Sequence, residues 1–168
     1  EKDPHFNEKG PILRTLWHGS TVHGTQIIHP YTQKYPLSYY HSEGPLKYLL
    51  NKNKKKRNVA IIGLGVGACS TYFEESEKIT FYELDPSIVD IAENLFTYLS
   101  DCSASVTNVE GDARIQLEQA PDNSYDIIII DAFSSDAIPT HLLTKEAFSL
   151  YDRKLTSQGK LIFHITNR

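Results

Sequence analysis

The stretch that most limits the fold is Asn58 to Asp85, NVAIIGLGVGACSTYFEESEKITFYELD. Val59 to Ile62 is a short apolar run rich in β-branched side chains, the composition of a strand covered on both faces. Gly63, Gly65 and Gly67 follow at alternate positions. A missing Cβ lets the chain turn tightly there and lets a ligand approach the backbone. Ala68 to Glu75 reads as a helix, although Ser70 and Thr71 are weak formers, and Ile79 to Tyr82 reads as a second strand ending at Glu83. Strand, glycine turn, helix and strand with an acid at the tip make a nucleoside-binding unit, because that carboxylate can accept from both hydroxyls of a ribose. The plain alternative is a glycine turn without a ligand. Read as Gly63-x-Gly65-x-x-Ala68, with Glu83 twenty residues after Gly63, the same stretch also satisfies a dinucleotide fingerprint. The unit alone leaves the nucleoside open.

Downstream, Asp85 and Pro86 start a helix running to Leu99, with Ile88, Ile91, Ala92, Leu95, Phe96 and Leu99 on one face. Ser105 to Glu110 is a third strand, and Gly111-Asp112-Ala113 opens a short helix to about Gln119. Tyr125 to Ile130 is the most apolar strand of the chain and is expected inside the sheet, ending at Asp131. After the loop Ala132 to Pro139 come a helix from about Thr144 to Leu155, a connection closed by Gly159, and a fifth strand from Lys160 to Ile165. Strands alternating with helices imply right-handed crossovers and a parallel sheet. The expected class is α/β and Rossmann-like, with strand order 3-2-1-4-5.

Upstream, Arg14 to Ile28 suggests a short hairpin or two short strands broken by Gly19 and Gly24. Tyr31, Tyr35, Tyr39 and Tyr40 suit either a pocket wall or ordinary packing. Ser42 as cap and Pro45 in the first turn begin a helix carrying Leu46, Leu49 and Leu50, and Lys52 to Arg57 reads as its solvated end. The expected division is a small β-rich segment over 1–45 and a nucleoside-binding domain over 46–168.

A net charge of −4 offers no basic face for nucleic acid. No apolar run approaches the ~20 residues that span a bilayer. Cys69 and Cys102 form no metal-ligand spacing and read as reduced thiols, which suits a cytoplasmic domain. His18, His23, His29 and His41 match no helical metal-binding pair, so no metal is expected. The chain starts at Glu1 and contains no methionine, which points to a piece of a longer protein whose other parts could attach it to a membrane.

Ligands of open parallel sheets sit at the carboxyl ends of the strands. Those ends here carry Gly63 to Gly67, Glu83 with Asp85, Asp112, and Asp131 with Asp136, and no Lys or Arg. A diphosphate wants a cation or an open helix N-terminus. A ligand with hydroxyls, an exocyclic amine and positive charge suits such a rim better, and S-adenosylmethionine and its decarboxylated form both have these groups. Asp112 can accept from the adenine amine or serve as a helix N-cap, and Asp131 can face the cationic end.

GLGVG, YELD, VEGDA and YDIIIIDAFSSDAIP, followed by LLTKEAFSLYDRKLTSQGKLIFHITN, resemble the polyamine aminopropyltransferase (spermidine synthase) family. Together with HGSTVHGTQ and PLSYYHSEGPL they are similar above all to spermidine synthase-like domains fused to membrane transporter-like segments. The resemblance implies a small N-terminal β domain before a class I methyltransferase-like domain. It implies that Gly63, Gly65 and Gly67 line the donor site, Glu83 holds the ribose, and Asp112 and Ala113 meet the adenine edge. Asp131 then binds and deprotonates the acceptor amine, with Asp136 as cation anchor. It further implies decarboxylated S-adenosylmethionine as co-substrate, a polyamine such as putrescine as acceptor, and a possible homodimer. Two departures stand out. The loop from Asp131 to Asp136 is two residues longer between its acids than the family's, and the chain ends at Arg168, before the family's further helix and antiparallel strand pair. The rivals are methyl transfer from S-adenosylmethionine, a non-catalytic nucleoside sensor and, more distantly, a dehydrogenase.

Overall fold

A computed structural model describes residues 10–19, 21–50, 56–133 and 137–165. Asp136 and most of the lysine run lie outside them. Five parallel strands form the centre: β3 (Asn58–Ile62), β4 (Lys78–Glu83), β5 (Ser105–Glu110), β6 (Tyr125–Ile130) and β7 (Leu155–Phe163). Their order is β5-β4-β3-β6-β7, the expected 3-2-1-4-5 arrangement, with the isoleucine-rich β6 inside the sheet. Before them β1 (Leu13–His18) and β2 (Thr21–Ile27) pair as an antiparallel hairpin, with a bulge between Leu16 and Trp17.

Alternation along the central strands divides the core into two layers. Val59, Ile61, Ile79, Phe81, Ile127 and Ile129 face Ile88, Val89 and Ala92 of α2 (Pro86–Leu95). Ala60, Ile62, Ile128 and Ile130 face Leu117 of α3 (Ala113–Glu118) and Ala147, Leu150 and Tyr151 of α4 (Lys145–Lys154). Two covered faces explain why these strands are continuously apolar. The hairpin is tied to this body by Gln26, fully buried, whose side chain donates to Thr97 Oγ1 (2.8 Å) and accepts from the Thr97 N–H (3.2 Å). Tyr98 adds a hydroxyl bond to the Thr25 carbonyl (3.0 Å).

Four local expectations are corrected. Ala68 to Glu75 is not an α-helix but a 3-10 turn over Ala68–Tyr72. Gly67 enters it left-handed (φ 79°), and the Ser70 and Thr71 hydroxyls bond to carbonyls, the competition with helical pairing expected of such residues. The helix after Asp85 stops at Leu95, because Phe96 is extended and the Thr97 N–H is taken by Gln26. α1 (Pro45–Leu50) begins at Pro45 itself, so Ser42 is not its cap. β7 starts at Leu155, five residues early; Gly159 lies within it, where the register with β6 shifts between Tyr125 and Ile127. No helix among the described residues is long and apolar enough to cross a membrane.

Candidate functional site

The carboxyl ends of all five parallel strands open on one cleft of about 470 Å³. Gly63 and Gly65 form its floor. Gly63 has φ 98°, and a Cβ there would stand 2.6 Å from the Asp131 carbonyl oxygen; at Gly65 (φ 55°) it would stand 2.6 Å from that of His23. Only glycine lets β3 pass so close to both the β6 end and the hairpin. Gly67 is placed differently. It lies outside the cleft lining, against the Leu99 side chain.

Glu83 ends β4, and backbone fixes its carboxylate: Oε2 accepts from the Leu64 N–H (2.9 Å) and Oε1 from the Asp85 N–H (3.0 Å). Each oxygen keeps a second lone pair, so the group is held in place and still able to accept from a ribose diol. Asp85 caps α2 through the Ser87 N–H (2.9 Å). Asp112 caps α3, its Oδ1 accepting from Arg114 N (2.9 Å) and Ile115 N (3.1 Å). Its Oδ2 lies 3.2 Å from His141 Nε2. An adenine amine would therefore share Asp112 with both a cap and a histidine. Ala113, the first residue of α3, is also in the lining.

Asp131 follows β6, its side chain only 7 % exposed and its Oδ1 2.6 Å from His164 Nδ1. Burial pushes this carboxyl above the usual carboxylate value, and the bond to His164 works against the rise. The His164 ring is held between Tyr39 (centroids 4.1 Å apart) and the edge of Phe133 (4.9 Å). Burial and the neighbouring Asp131 push the Tyr39 hydroxyl up, so it remains neutral. Of the tyrosine-rich stretch, Tyr39 is the residue that reaches the cleft. His18 and His23 complete the wall, their rings 5.6 Å apart; burial first, then His18, lowers the His23 pKa.

Gly63, Gly65, Glu83, Asp112, Ala113 and Asp131 thus share one cleft, as expected, while Asp136 lies outside the described residues. Histidine is what sequence reasoning missed. His141 and His164 each pair with an acid at the cleft. β7 ends at Phe163, short of the expected Ile165, which puts His164 beside Asp131 at the ends of neighbouring strands. Among the described lining residues there is no Lys or Arg.

The same residues carry a family likeness, since the model of the spermine/spermidine synthase domain matches 46–167. The chain belongs to that family. A polyamine aminopropyltransferase of Vibrio vulnificus is 33 % identical over 115 residues, which are 66 % of this chain and 38 % of the relative. This spermine/spermidine synthase domain therefore spans well under half the length of that relative. An eEF1A lysine and N-terminal methyltransferase of Xenopus laevis is 31 % identical over 85 residues, 47 % of this chain and 12 % of that protein. In fold, the domain is similar to a probable spermidine synthase of Corynebacterium glutamicum, with TM-score 0.62 and 19 % identity, covering 91 % of this chain and 60 % of that one.

Proposed function

We propose that this domain binds decarboxylated S-adenosylmethionine and transfers its aminopropyl group to a polyamine such as putrescine. The observation that carries this is the cleft itself, whose described lining has Glu83, Asp85, Asp112 and Asp131 and no Lys or Arg. Such a wall favours a cationic donor and a cationic acceptor and disfavours a diphosphate or a free carboxylate. Family membership supports the same reading.

Each strand end then has a task. Glu83 accepts from the ribose hydroxyls, the N-terminus of α3 with Asp112 and Ala113 meets the adenine, and the Gly63–Gly65 turn admits the sulfonium against the backbone. The alkylammonium acceptor, whose pKa is roughly 10 in solution, must lose a proton before its nitrogen can attack. Asp131, directly after β6, is the carboxylate that binds it and on which the loss of that proton depends, with Asp136 as anchor for its distal cation. The remainder of the catalysis is the positioning of two bound reactants.

Incubation with the decarboxylated donor and putrescine, followed by mass analysis, tests this. Spermidine and methylthioadenosine in equal amounts are expected. Their absence, with methyl transfer from S-adenosylmethionine in the same preparation, would favour the methyltransferase reading suggested by the Xenopus relative.

A further inference from the structure

A deprotonated acceptor amine implies a group that receives its proton and then releases it. Asp131 is poorly built to do this alone. Its side chain is 7 % exposed, and Oδ1 is already engaged by His164 Nδ1 at 2.6 Å. A proton left on that carboxyl has little contact with water. The imidazole beside it, 23 % exposed, lines the cleft and does reach solvent. The ring is also held in place: the His164 N–H bonds to the Ile130 carbonyl (3.0 Å), and Tyr39 and Phe133 hold the ring from two sides. With Nδ1 turned to the carboxylate, a neutral imidazole donates its Nδ1–H there and presents a bare lone pair at Nε2. A buried aspartate fixing the tautomer of a histidine in this way is a recurring design for general bases.

We propose that His164 is the catalytic base of this site and that Asp131 acts through it, orienting the ring and balancing its positive charge. The proposal rests on the aminopropyl-transfer reading above. The acceptor ammonium gives one proton to His164 Nε2. The freed nitrogen lone pair forms a new C–N bond to the carbon beside the sulfonium, the C–S bond breaks, and the sulfonium leaves as a neutral thioether. The product nitrogen carries the positive charge, and the imidazolium returns its proton to water through its exposed edge. No oxidant or metal enters the balance.

The test uses the intact protein and two variants. His164→Asn places an amide nitrogen where Nδ1 stands, keeping the bond to Asp131 while removing the basic nitrogen. Methylthioadenosine release from decarboxylated donor and putrescine is expected to fall about 10²–10⁴-fold in kcat, with the donor KM unchanged in a folded variant. His164→Gly is expected to regain part of its rate when free imidazole is added. A His164→Asn rate within a few-fold of wild type, or a folded, donor-binding glycine variant that imidazole does not rescue, overturns the assignment. If the glycine variant fails to fold, the asparagine variant decides by itself. Wild-type protein that releases no methylthioadenosine would instead bring down the transfer reading, and His164 as base with it.

Discussion

Glu83 shows how one side chain can serve both fold and ligand. Its two oxygens hold the backbone on either side of the cleft, at Leu64 and at Asp85, and retain capacity for a ribose. Glu83→Gln turns one acceptor into a donor, and hydrogen bonds to a charged group are worth roughly 1.5–3 kcal/mol each. Adenosine-ligand affinity should fall at least about tenfold, with a lower melting temperature. Unchanged affinity in a folded variant would remove Glu83 from the site. Asp131 predicts the opposite balance. Its folded pKa is raised above the ordinary 3.8, mainly by burial, so the folded chain binds that proton more tightly than the unfolded chain. Its contribution to stability is therefore greatest below that ordinary value and is lost as pH rises through the folded one. Asp131→Asn should then melt higher than wild type at pH 7, with the gap closing toward pH 4, while transfer is abolished. A variant that melts lower at pH 7 contradicts this. The acids were legible from sequence because strand ends of a parallel sheet converge whatever the helices do. His141 and His164 were not, since a lone histidine carries no periodic signal and its partner depends on loop path and register.

Among elements, the glycine turn is the clearest test. At Gly63 a Cβ would strike the backbone of Asp131, whereas at Gly67 it would meet the movable end of Leu99. Gly63→Ala should cost roughly 1–3 kcal/mol in backbone strain, which lowers the melting temperature by roughly 2–12 °C, and should weaken donor binding. Gly67→Ala should destabilise while leaving donor affinity within about twofold, because Gly67 is outside the lining. Differential scanning calorimetry and ligand titration of both variants would separate the two roles; equal loss of affinity would merge them. Strand existence was readable because β3 and β6 are apolar on both faces. Helix length was not. The apolar stripe continues past Leu95 through Phe96 and Leu99, but a side chain from the hairpin, Gln26, captures the backbone there and ends the helix. A contact between residues so far apart in sequence leaves no local mark.

At the scale of the whole molecule, the two core layers fix the sheet, the sheet brings its carboxyl ends to one face, and the hairpin closes that face through His18 and His23. The resulting cleft offers carboxylates to hydroxyls, amines and a sulfonium, with no Lys or Arg among its described lining residues. S-adenosylmethionine differs from its decarboxylated form by one carboxylate, which such a cleft would repel, and NAD brings a diphosphate. The direct test is calorimetric titration of the intact protein with these three ligands side by side. The decarboxylated donor should bind at least about tenfold more tightly than S-adenosylmethionine, and NAD should give no binding heat. Equal or tighter binding of S-adenosylmethionine, or any saturable binding of NAD, would contradict an aminopropyl-donor site.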